Sequence, residues 1–172
     1  MNSPEQNAPG WTAIDRYVGS YYQGQTPHQL TSRTPYELDS PNPLPAITVW
    51  EAQKPSSWHF VSYGLTELFE KTSTDPNVSG FGFELSLRIP RQSDEQHPPV
   101  WALKLIQALG GHLLESKSGF DSGHCIDLSA PIDGNPSTPL QGLVCVPDPL
   151  LDKIESPHGT ILFLRLVGLY PE

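Results

Sequence analysis

Two histidines, a cysteine and a scatter of carboxylates are the residues through which this chain could do chemistry. His124, Cys125 and Asp127 stand almost together, with His112 a short way upstream. Imidazole, thiolate and carboxylate are ligand types that zinc accepts, and a thiol beside a histidine is a pair from which a nucleophile can be made. The spacing His124-Cys125-x-Asp127 matches no standard ligand set, however, and strand alternation would turn Cys125 away from His124. Ile126 and Leu128 around the cysteine predict a buried thiol of ordinary reactivity. Cys125 and Cys145 are too few and too far apart for a zinc ribbon or a CxxC redox pair, and without an export signal they are expected as free thiols, Cys145 in the core. The residues therefore predict no metal, no cofactor and no catalysis. A small enzyme using His112, His124 and Cys125 is the alternative.

A second group is acidic. Asp148 sits in a Pro147-Asp148-Pro149 turn, with Asp121, Asp127, Asp133, Asp152 and Glu155 in neighbouring sequence. Such carboxylates could meet a basic protein partner, where charge complementarity mainly speeds encounter and enforces choice. Equally, Asp148 could be held by backbone hydrogen bonds in its own turn. The formal charge of −9 argues against nucleic acid and against an anionic membrane as partners. The Gly-Phe-Gly at 80–82 lacks a phosphate-loop pattern and leads into a strand instead of a helix, which argues against nucleotide binding. Trp11, Trp50, Trp58 and Trp101 read as packing residues and not as a stacking platform.

The elements that must position these residues follow from periodicity. Trp11, Ile14, Val18 and Tyr21 recur at helical spacing after a polar tail over 1–9, with Thr12 and Asp15 as a variant capping box. Residues 23–45 read as a long loop anchored by Tyr36 and Leu38. Ile47 to Trp50 and His59 to Tyr63 read as strands joined by a turn at 54–57, and Leu65, Leu68 and Phe69 predict one or two helical turns. In Ser79 to Arg91 the alternation of Phe83, Leu85, Leu87 and Ile89 with Glu84, Ser86 and Arg88 predicts a strand with one core face and one wet face. Pro98-Pro99 opens a helix to about Glu115, along which Gly110-Gly111 is a possible bend. Strands follow at Cys125 to Leu128 and Leu143 to Val146, and the apolar run Thr160 to Leu169 predicts a central strand covered on both faces. The class is α+β, or irregular α/β: a mixed sheet packed by a few helices in one domain over 1–172. With 37% hydrophobic residues and 19 prolines, long ordered connections are expected. The N-terminus carries no signal-peptide pattern, no window reaches the length of a membrane span, and a cytoplasmic monomer is expected.

Four segments, WHFVSYGLTELF, SGFGFELSLRIPR, PPVWALKLIQAL and PDPLLDKIESPHGTILFLRLVGL, together with FDSGHCIDLSAPI, resemble the N-terminal domain of the Suppressor of fused family. The resemblance implies a domain that in animal members works beside a second one, the two closing around a transcription-factor segment that adds as a strand. A chain ending near Gly168-Leu169 is expected to lack the second half of that clamp and to be similar to single-domain bacterial members, some proposed as immunity proteins that neutralise toxin domains. Aligned on its motifs, the family's partner-contacting tyrosine, aspartate and glutamate fall on His112, His124 and Pro147, and none matches. Asp148 does match the family pattern. The resemblance thus implies a protein-binding face bearing His112, His124 and Asp148, with a toxin domain as one possible partner. An oligomerising scaffold pairing through an exposed strand edge is a further alternative.

Overall fold

The computed structural model describes residues 7–31 and 42–171, so the proposed anchors Tyr36 and Leu38, and most of the expected tail, lie outside the described residues. Helix α1 (Pro9–Ser20) is followed by β1 (His28–Thr31), β2 (Ala46–Gln53), β3 (Ser56–Tyr63) and β4 (Val78–Pro90). Then come α2 (Val100–Ser116), β5 (Cys125–Asp127), β6 (Gly142–Pro147), β7 (Ile154–Ser156) and β8 (Gly159–Leu169). The strands form one mixed sheet in the order β1-β2-β3-β4-β8-β6-β5, with β7 adding to β8. Among the described residues only the β4–β8 pair is parallel. The expected α+β class, with a mixed sheet packed by a few helices, is the architecture observed. No described helix is long and apolar enough to cross a membrane.

Alternation along the strands divides the interior into two cores. Trp58 and Phe60 of β3, Leu85 and Leu87 of β4 and Leu164 and Leu166 of β8 face Ala102, Ile106, Leu109 and Leu113 of α2. Residues of the opposite parity, Val61, Tyr63, Ile161 and Phe163, meet Ile14, Val18 and Tyr22 on the α1 side. Each fully buried Leu, Ile or Phe contributes about 1.5–3 kcal/mol. Gly110 does not bend α2, which runs unbroken: a Cβ there would come within 2.5 Å of Leu44 Cγ, so the glycine lets the helix press onto that side chain.

Several expectations need correction. Thr12 does not cap α1, which starts at Pro9 behind Ala8; its hydroxyl donates to the Ala8 carbonyl, and Asp15 accepts from Tyr63 Oη at 2.6 Å. Tyr22 and not Tyr21 completes the buried stripe, because the chain turns beyond Ser20. The presumed loop contains β1, whose polar HQLT text hides an edge strand paired to β2. The second face of β4 is dry at Glu84 and Ser86, which are fully buried under the α1 side, while Arg88 beyond them is part-buried. Finally, residues 65–69 form no helical turn. Glu84 accepts from Ser62 Oγ, Thr66 Oγ1 and the backbone N–H groups of Gly64, Leu65 and Thr66, while Glu67 accepts from the N–H groups of Thr72, Ser73 and Gly80. Two carboxylates thus take the donors that a helix would direct to its own carbonyls. These donors and Lys71 hold the Glu67 pKa down at about 2, although partial burial opposes them.

Candidate functional site

The glycine-rich start of β4 shapes an apolar cleft. Between the pairs Val78–Thr160 and Phe83–Leu162 the chain advances from 78 to 83 on β4 but only from 160 to 162 on β8, so residues 79–82 bulge out of the ladder. Gly80 and Gly82 adopt φ values of 54° and 82°, a region that favours glycine, and Phe81 N–H donates to the Leu65 carbonyl instead of to β8. The bulge uncovers the neighbouring strand: Leu162 is 45% exposed although β8 is central to the sheet. A cleft of about 450 Å³ opens here, floored by Phe81, Phe83, Leu162 and Leu164, with Phe120 on one wall and Asp121, Asp152 and Lys153 at its rim. Phe120 stacks on Phe83 at 6.4 Å, and the His124 ring meets Phe120 edge-on at 5.3 Å. An apolar floor with an aspartate-rich rim suits the side chains of a polypeptide.

Pro147 and Asp148 close the cleft on another side, and Asp148 ties that wall to the core. Its carboxylate is buried. Oδ1 accepts the N–H groups of Leu150 and Leu151, at 2.8 and 3.1 Å, and Oδ2 accepts from Ser86 Oγ. His59 Nε2 stands 3.6 Å from Oδ2, an ion-pair separation too long for a hydrogen bond. Tyr22 Oη lies 2.6 Å from His59 Nδ1 and accepts from Arg88 Nη2 at 3.4 Å, an arrangement in which the phenol can donate to Nδ1 and leave the imidazole proton on Nε2, facing Asp148. Burial lowers the His59 pKa, with Arg88 and Arg165 adding to that effect against the pull of Asp148. Asp148 is shifted the other way: its hydrogen bonds and His59 hold it well below the usual carboxylate range despite burial. Serine, histidine and aspartate meet here, but Ser86 and His59 have no exposed surface, so a substrate cannot reach them.

The residues singled out from sequence therefore separate. His124 borders the cleft through Phe120, Asp148 builds its wall from inside, and His112 lies on the exposed side of α2. Cys125 is exposed, contrary to expectation, because β5 is a three-residue edge strand with Cys125 on its open face; Cys145 is buried, and burial pushes its thiol to about 11. Both thiols are free, and no cluster of three or more potential metal ligands occurs among the described residues. Sequence reasoning missed His59, Ser86 and Tyr22. Their signal was a histidine amid the apolar WHFVSY strand, and a serine whose period-two position looked wet.

Comparison with known proteins matches this architecture. The profile of the Suppressor of fused protein family covers residues 40–172. The Suppressor of fused homologs of Homo sapiens and Mus musculus are each 33% identical over 164 residues, which is 88% of this chain and 34% of theirs, so the chain spans about a third of the length of those relatives. A chain in the Sufu–Fu complex crystal structure superposes with a TM-score of 0.86 at 29% identity, over 95% of this chain and 77% of that one. Drosophila Suppressor of Fused gives 0.85 at 29% identity, over 99% and 45%. A protein described as a Suppressor of fused homolog from Neisseria gonorrhoeae shares the fold at a TM-score of 0.57 and 12% identity, over 94% and 78%. Matched by the family's profile over residues 40–172 and by relatives 33% identical over 88% of its length, this chain belongs to the Suppressor of fused family.

Proposed function

We propose that the chain is a noncatalytic protein-binding module that takes a partner's apolar side chain into the cleft beside the β4 bulge. The observation that carries this reading is Leu162, a central-strand leucine left 45% exposed at the floor of an apolar cleft. Membership of a family with a solved complex, Sufu with Fu, supports a protein as the ligand class. The acidic balance of −9 and the rim aspartates Asp121 and Asp152 favour a basic partner. A toxin domain neutralised in a bacterial cytoplasm, with this chain as the immunity protein, is the specific partner class proposed, His124 and Phe120 forming part of the contact.

The test is recovery of the tagged chain from its source cells, identification of a stoichiometric companion, and titration of that companion against Leu162→Glu. A charge on the cleft floor is expected to weaken binding at least about a hundredfold while leaving the melting temperature nearly unchanged, since hot-spot losses reach 2–4 kcal/mol. The absence of any stoichiometric companion, or unchanged affinity in the variant, would sink the proposal. A companion encoded beside this gene that kills cells lacking it would establish the immunity role.

A further inference from the structure

The opposite side of the sheet carries an unbalanced pair of cations. In the register, β8 Arg165 lies beside Ser86 of β4 and Val146 of β6, while Val167 lies beside Val144. Arg88, two residues beyond Ser86, shares their face, which is the α1 side. The described residues of α1 and the 148–153 loop stop short of this region: Val167 is 38% exposed, and Val144 and Val146 are only half-buried. Each guanidinium has a buried Nε without a partner, and neither is ion-paired with a described carboxylate. The nearby acids are already committed. Asp148 spends both oxygens on Ser86, Leu150, Leu151 and the His59 contact, and Glu84 is taken up by the 64–66 loop. His59 adds no negative charge. Two guanidiniums thus stand on one face of the sheet with their Nε–H groups buried and unpaired, and unpaired buried donors of this kind call for a ligand.

We propose that Arg88 and Arg165 receive a carboxylate side chain from an apolar polypeptide segment of a protein partner, laid along Val144, Val146 and Val167. Guanidinium forks match carboxylates in two-point geometry, and the valines offer alternate apolar positions beside them. The net charge of −9 repels a strongly acidic partner at long range, which selects a single carboxylate among apolar residues over an acidic run. Neither arginine and none of the three valines lines the Leu162 cleft, so the two proposals are tested separately.

The experiment follows the Nε–Hε resonances of Arg88 and Arg165 by NMR during titration with the blocked tripeptides Ac-Val-Glu-Val-NH2 and Ac-Val-Gln-Val-NH2, and with inorganic phosphate. The expected result is a saturable shift of both signals with the Glu peptide, with the Gln peptide about tenfold weaker for loss of the charge-assisted pair. Arg165→Gln should abolish the response; Arg165 makes no side-chain hydrogen bond within the described residues, and the Glu-against-Gln comparison in the unmodified chain decides the matter even if that variant unfolds. Equal responses to the Glu and Gln peptides, or a phosphate response as strong as that to the Glu peptide, would overturn the proposal. Leu162→Glu should leave these shifts unchanged.

Discussion

Replacing Asp148 by Asn changes one oxygen to an amide and keeps the shape, so it isolates what the charge does. With the remaining carbonyl in the Oδ1 position, the bonds from Leu150 and Leu151 survive. The new amide then confronts the donor side of His59 and forces Ser86 to reverse its hydroxyl. If His59 answers by moving its proton to Nδ1, the Tyr22 oxygen accepts from both Nδ1 and Arg88, and the phenolic proton loses Nδ1 as its acceptor. One or two charge-assisted hydrogen bonds are lost or inverted, each worth about 1.5–3 kcal/mol, and the expected destabilisation is about 2–4 kcal/mol. Asp148→Ala, which also strands two backbone N–H groups, should cost more. The assay is urea unfolding followed by tryptophan fluorescence, repeated from pH 7 down to pH 3. In the unfolded chain the carboxyl takes up a proton near pH 4, whereas the folded carboxyl resists until lower pH. The unfolded state therefore binds more protons in that window, and the stability from Asp148 is present above about pH 4 and declines below it. The Asn variant should show a shallower acid limb, the residue coming mainly from Glu67, whose pKa is held at about 2. An Asn variant of unchanged stability at pH 7 and an unchanged acid slope would refute the reading of Asp148 as a buried, ionised anchor.

Glu84→Gln should destabilise by about 3 kcal/mol and speed amide exchange at Gly64, Leu65 and Thr66, because an amide group would face donors that now point at a carboxylate. Gly110→Ala should lower stability by about 1–2 kcal/mol, overpacking against Leu44 outweighing the gain in helix propensity, whereas Gly111→Ala, whose new Cβ would stand 3.1 Å from Pro43 Cγ, should stay within about 1 kcal/mol of neutral; equal effects on thermal denaturation would count against the close approach of α2 to Leu44. Cys125 should react with a thiol reagent in the native protein while Cys145 reacts only on unfolding, and native labelling of both would contradict the burial that pushes Cys145 to about 11.

Segments whose text carries its own period were legible from sequence. The α2 stripe, the β4 and β8 strands and the burial of Cys145 follow from local repetition of apolar residues, and three of the five family motifs lie on those same segments. Errors gathered wherever a polar residue was assigned to water by its position. Alternation places Glu84 and Ser86 in water, and Asp148, which does take the backbone bonds expected of its turn, is offered also to a partner; yet all three are buried, because a carboxylate or hydroxyl can stay dry when the fold brings it enough partners. Those partners come from distant parts of the chain: Ser86 meets Asp148 across 62 positions and Tyr22 meets His59 across 37. Cys125 failed in the other direction, since apolar neighbours do not reveal that a strand is short and lies at an edge.

Alternation and motif order by themselves determined the α+β class and the family, because both are written in neighbouring residues. Tertiary structure alone decided that β4 bulges away from β8 and exposes Leu162, that Asp148 anchors a cleft wall from within, and that Arg88 and Arg165 share one face with their Nε groups unpaired. Those outcomes depend on which strands become neighbours and in what register, a matter of pairing across the sheet that no local pattern encodes.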